Sequence, residues 1–96
     1  MRRCYLVCYD ISDSKRLRKV YELMKGYGQS WQYSVFFCVL KDMDRVKMQV
    51  DLEEQINQRE DQVLVIEVGS SAEKFRGDTT TLGKSLPDQP SGMVVI

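Results

Sequence analysis

The 96-residue chain contains no histidine. That absence excludes Ser-His-Asp triads, Cys-His nucleophiles, histidine general bases and histidine-ligated zinc. Any catalysis has to use carboxylates, a metal ion, or lysine, tyrosine and cysteine side chains. Cysteine is sparse: Cys4, Cys8 and Cys38 are odd in number, form no CxxC pair and follow no zinc-binding spacing. Cys4 and Cys8 share one face of a predicted strand but stand roughly 13 Å apart along it, too far for a disulfide. All three read as small apolar core residues. Long apolar runs are missing too. Runs such as Val35–Leu40 and Val63–Ile66 have strand length, far short of the roughly 20 residues of a membrane helix. The basic start Arg2-Arg3 leads into an apolar run that Asp10 interrupts. No signal peptide fits there, and a cytoplasmic protein is the expectation.

What is present belongs to one ordinary folded domain. Hydrophobic residues make up 43% and charged residues 29% of the chain, which suits neither a disordered nor a membrane protein. A domain this short buries a modest share of its surface and gains from pairing with a copy of itself. Net charge is zero, but residues 1–30 hold seven Lys/Arg against three acids and the remainder holds seven against eleven. The asymmetry points to an anionic partner for the N-terminal part.

Cys4–Tyr9 is apolar and rich in β-formers, a strand expected to be buried on both faces that ends at Asp10. Ser12 and Asp13 offer helix N-caps, and Leu17, Val20, Tyr21, Met24 and Tyr27 recur at helical spacing until Gly26 and Gly28. Ser30–Leu40 reads as strand, either one long strand or two short ones joined by a tight turn. Asp42–Arg59 reads as a second helix with Met43, Val46 and Val50 on one side and Leu52 and Ile56 drifting off it. Gln62–Val68 reads as a buried strand interrupted by Glu67. Residues 69–92 are polar, with four glycines and both prolines, and read largely as loop before the apolar Met93–Ile96. That terminal run is expected to add a strand to a sheet. The order suits a ferredoxin-like α/β (α+β) sandwich: residues 1–68 as core, 69–92 as a loop-rich segment, 93–96 as a final strand.

Asp10 stands where a buried strand gives way to a helix. It is either a cap or turn residue or a ligand for a hard cation. Mg²⁺ is often held by one or two protein carboxylates, with water and phosphate completing its shell, and a two-fold axis near Asp10 would supply a second copy. Asp13 is better explained by capping. Lys15, Arg16, Arg18 and Lys19 lie in the first turns of the first helix. A run of charge on a helix is usually its solvated face, yet cations there oppose the helix macrodipole. That mild cost beside Asp10 favours phosphate contact. Tyr5, Tyr9, Tyr33, Phe36 and Phe37 invite comparison with sheets that stack bases on aromatics, but the basic-Gly-aromatic-Gly-aromatic pattern is missing and core packing explains most of them. Gly83-Lys84-Ser85 lacks the leading glycine, strand and helix of a P-loop and is not one.

Taken together, Tyr9-Asp10-Ile11-Ser12-Asp13, the basic Lys15–Lys19 run and Gln32-Tyr33-Ser34-Val35-Phe36 resemble the small CRISPR-associated adaptation protein family, often labelled an endoribonuclease, which partners the CRISPR integrase. The likeness covers residues 4 to about 68, and Met93–Ile96 fits the family's last strand. It implies a βαββαβ fold, with Ser30–Leu40 a hairpin, and a homodimer in which each last strand joins the partner's sheet. It implies two copies of Asp10 facing each other across the dimer axis, supported by Tyr9, where some members bind Mg²⁺ or Mn²⁺ and cleave RNA or double-stranded DNA. Other members show no nuclease activity and bridge integrase dimers during spacer acquisition. The alternatives are a stand-alone metal-dependent endoribonuclease of toxin type and a non-catalytic ferredoxin-like module, whether binding nucleic acid or serving regulation.

Overall fold

A computed structural model describes residues 1–87. The elements run β1 (Arg2–Asp10), α1 (Ser14–Lys25), β2 (Gln29–Gln32), β3 (Val35–Lys41), α2 (Asp42–Gln55), β4 (Gln62–Gly69) and α3 (Ala72–Asp78). The four strands form one antiparallel sheet in the order β2-β3-β1-β4. This is the ferredoxin-like arrangement, with β1 and β3 central and β2 and β4 at the edges. Ser30–Leu40 is a hairpin whose turn, Tyr33–Ser34, is tied back where the Tyr9 N–H donates to the Ser34 carbonyl at 3.1 Å.

Strand alternation decides what lies under the helices. Tyr5, Val7 and Tyr9 of β1 pair in register with Cys38, Phe36 and the turn side of β3, and with Val65 and Val63 of β4. These residues meet Val20 and Met24 of α1 and Met48 and Leu52 of α2 in the main core. The other sheet face carries Leu6, Cys8, Val35, Phe37, Leu64 and Ile66. Cys4 and Cys38 are buried as free thiols, whereas Cys8 is only half-buried on that second face. Burial pushes the Cys38 thiol up to about 12. Gly28, leading into β2, lies so close to β3 that a Cβ there would stand 2.5 Å from Cys38 Sγ and 2.6 Å from the Phe37 carbonyl oxygen.

Three elements differ from the sequence reading. Met43, Val46 and Val50 of α2 are 84%, 50% and 49% exposed, and the core face is instead Met48 and Leu52. The helix stops at Gln55, short of Arg59, because Asn57 and Asp61 side chains capture the following backbone: Asn57 Oδ1 accepts from the Arg59 N–H at 2.9 Å, and Asp61 Oδ2 accepts from the Asn57 N–H at 2.8 Å. The strand expected to be buried, β4, is an edge strand, leaving Leu64 and Ile66 about half exposed. The segment after Gly69 is not all loop. Ser71 caps α3 by accepting from the Lys74 N–H at 3.1 Å, and Phe75 stacks on Trp31 and Phe37 with ring centroids 5.8 and 5.4 Å away. One aromatic residue in a polar stretch has no periodicity, so only the tertiary contact reveals this helix. The Met93–Ile96 strand lies outside the described residues. Among those residues no helix is long and apolar enough to cross a membrane.

Candidate nucleic-acid interface

The chain leaves β1 at Asp10 and enters α1 at Ser14, and the linking residues are held from two sides. Asp13 is the N-cap, its carboxylate accepting from the Arg16 N–H at 2.9 Å. This places a negative charge at the helix start, which offsets the Lys15 and Arg16 cations that oppose the macrodipole. With Asp13 capping, Asp10 has no capping role. It is exposed at the end of β1, opposite Gln62 of β4, with no hydrogen bond or ion pair among the described residues. A lone exposed carboxylate fits a hard cation as one oxygen ligand, but no group of three His, Cys, Asp or Glu residues among those described forms a ready-made metal cage. A site built on Asp10 therefore has to borrow ligands from water, phosphate or a second chain.

The four basic residues of α1 do not act alike. The Arg16 guanidinium turns back across the chain: its Nε donates to Asp61 Oδ2 at 2.8 Å and its Nη2 reaches Glu60 Oε1 at 3.2 Å. The Asp61 side chain is fully enclosed and also accepts from the Ser12 N–H at 3.0 Å. Arg16, ahead of the two backbone donors, holds the Asp61 carboxyl well below the usual carboxylate range. Lys15, Arg18 and Lys19 are exposed, with no ion pair among the described residues. Three cations of the run thus face solvent and one is committed to the fold.

Tyr9 and Asp10, adjacent in sequence, point to opposite faces of the sheet. Tyr9 faces the helices, 6% exposed and stacked on Phe36 at 6.3 Å. It lines a cleft with Arg18 of α1, Tyr21, Trp31 and Tyr33. The structure therefore joins Tyr9 to Arg18 and not to Asp10. The sequence reading passed over Trp31, Tyr21, Asp61 and Glu60. Trp31 is the single tryptophan of the chain, a signal in itself, whereas Asp61 is distant in sequence from the run it neutralises.

Known proteins resemble this chain in sequence and in fold. The family model for CRISPR associated protein Cas2 matches residues 2–74. A protein of Thermodesulfovibrio yellowstonii named CRISPR-associated endoribonuclease Cas2 2 is 49% identical over 65 residues, covering 68% of this chain and 71% of that one. A Rhodospirillum rubrum protein of the name CRISPR-associated endoribonuclease Cas2 1 is 44% identical over 81 residues, covering 84% and 78% of the two chains. The crystal structure of Streptococcus pyogenes Cas2 superposes with a TM-score of 0.74 at 30% identity, covering 83% of this chain and 99% of that one. With the family model matched over residues 2–74 and the fold shared with a solved Cas2, the chain belongs to the CRISPR-associated protein Cas2 family.

Proposed function

We propose that this protein binds nucleic acid as a homodimer in CRISPR spacer acquisition, bridging integrase subunits, and that Asp10 can hold Mg²⁺ or Mn²⁺ for endonuclease chemistry on RNA or DNA. The observation that carries the reading is Asp10 itself: capping falls to Asp13, and the Asp10 carboxylate is left exposed and unpartnered. A carboxylate kept at a strand end without a structural bond is available to a ligand. Lys15, Arg18 and Lys19 stand on the helix that follows and would hold the phosphate backbone. Arg16 joins that run through Asp61, stiffening the turn that carries Asp10 into α1. A divalent cation at Asp10 supplies charge neutralisation at a scissile phosphate and a water of lowered pKa.

Pairing is supported by the sheet face that bears Asp10. Leu64 and Ile66, 47% and 44% exposed, lie on that face of the edge strand β4. An edge that pairs with no further strand among the described residues, with apolar neighbours, is suited to a partner's strand. One observation favours a second reading, a scaffold without cleavage: the described residues offer no cluster of three acidic, cysteine or histidine ligands. Asp10→Asn separates the two. Metal-dependent cleavage by the wild-type protein should disappear in this variant, with circular dichroism and sedimentation unchanged. Cleavage by the variant at the wild-type rate would remove Asp10 from the chemistry, and a wild-type protein that binds without cutting under any metal establishes the scaffold.

A further inference from the structure

At the corner where β1 ends and β4 begins, most side-chain oxygens are already committed to the fold. Asp13 caps α1 by accepting from the Arg16 N–H. The enclosed Asp61 carboxylate accepts from the Ser12 N–H at 3.0 Å, the Asn57 N–H at 2.8 Å and the Arg16 guanidinium at 2.8 and 3.2 Å. Glu60 accepts from Arg16 at 3.2 Å, and the Ser12 hydroxyl lies between the two acids, 3.2 Å from Asp61 and 3.3 Å from Glu60. Two side chains stand apart from this network. Asp10 and Gln62 are both exposed, and neither makes a side-chain hydrogen bond or ion pair among the described residues.

These two are neighbours across the sheet. Asp10 is the last residue of β1 and pairs in antiparallel register with Gln62, the first residue of β4. Residues directly opposite in such a pair share a sheet face, with Cβ atoms about 4.5–5.5 Å apart. The Gln62 side chain is long enough to bring its carbonyl oxygen beside the Asp10 carboxylate. Their spacing is held by the network behind them. Asp61 precedes Gln62 and bonds Ser12, two residues after Asp10, so one enclosed carboxylate ties both strand ends together.

We propose that Gln62 is a second oxygen ligand, beside Asp10, for a divalent cation of the Mg²⁺ or Mn²⁺ type. Hard cations take carboxylate and amide carbonyl oxygens alike. Ser12, Asp13, Glu60 and Asp61 are engaged within the fold, which leaves Gln62 as the free oxygen donor across the β4 pairing. An amide adds an oxygen without adding charge, so an ion held by Asp10 and Gln62 keeps positive charge for a phosphate oxygen. A second copy of the chain would contribute the same two groups, and the positions left in an octahedral shell stay open to water and phosphate. This rests on the reading of Asp10 as a cation ligand and adds the group that shares the ion with it.

Titration of the full chain with Mn²⁺ alone, followed by electron paramagnetic resonance of the free ion, reads this without any cleavage. Gln62→Ala should weaken Mn²⁺ binding about tenfold, the lower end of what losing a supporting group costs a metal site. Gln62→Leu, similar in size but without the oxygen, should match it. Gln62→Glu offers a charged oxygen at the same reach and should bind at least as tightly as wild type. All three should melt close to wild type, since the exposed side chain bonds to nothing in the free protein. Asp10→Asn is the reference and should lose more affinity than any Gln62 variant. If Asp10→Asn weakens binding while every Gln62 variant binds like wild type, the Gln62 assignment is overturned and the reading of Asp10 stands. Gln62→Glu as weak as Gln62→Ala also overturns it, because the side chain then supports the strand and not the ion. Mn²⁺ binding unaltered by Asp10→Asn, or no binding by wild type at millimolar Mn²⁺, overturns the readings of Asp10 and Gln62 together.

Discussion

Arg16 stands among three other cations on α1, yet its guanidinium is the one that leaves the helix surface. Its partner Asp61 has a fully enclosed side chain, so removing the arginine strands a desolvated carboxylate. Arg16→Ala is therefore expected to lower the melting temperature by several degrees at neutral pH, more than Lys15→Ala or Lys19→Ala, as thermal denaturation would measure. The acid response follows from the same pair. The folded-state value of Asp61 lies below its ordinary 3.8. Its contribution is thus present above that value and lost as pH falls through it, below about pH 4. Wild type should lose stability there, and the gap between it and Asp61→Asn should narrow. A gap that stays constant from neutral to acid pH would mean that the pair contributes nothing through its charge.

At the scale of the element, α1 serves three directions at once. Val20 and Met24 face the core, Arg16 turns towards the β4 approach, and Lys15, Arg18 and Lys19 face outwards. If those exposed residues contact phosphate, replacing Lys15 and Lys19 with alanine weakens duplex binding for all sequences alike. Each lost contact should lower the slope of log affinity against log salt by about 0.9. An unchanged slope would return both lysines to the role of a solvated helix face. In α2 the apolar residues were visible but not their use. Met43, Val46 and Val50 form a pattern as plausible as Met48 and Leu52, and docking against β3 and α1 selects the latter pair.

On the scale of the whole molecule the unmet demand is the second sheet face. The segment from α3 to Pro87 covers part of it, with Phe75 on Phe37 and Leu86 lining one cavity with Leu6 and Val35. Leu64 and Ile66 stay about half exposed beside the β4 edge, which pairs with no further strand among the described residues. A chain with this edge and an apolar terminal Met93–Ile96 is expected to sediment as a dimer. Deleting residues 91–96 should shift it towards monomer or aggregate. A stable dimer of the truncated chain would show that strand exchange is not what holds the pair together.

Local rules reach a definite part of this protein. The apolar run of β-formers in Cys4–Tyr9, the Asp13 cap and the glycines after Lys25 specify β1 and α1, because such signals act over a few residues and depend little on the rest of the chain. The motifs Tyr9–Asp13 and Gln32–Phe36 were enough to resolve the ambiguous Ser30–Leu40 run into a hairpin through likeness to a family, where propensity alone left two answers. Tertiary structure decided the rest. It made β4 an edge, gave α2 its buried side and folded α3 onto an aromatic stack. It also paired Arg16 with an aspartate 45 residues away. Each of these depends on which surfaces meet, and long-range contact between exposed charges or isolated aromatics leaves no periodic trace in the order of the residues.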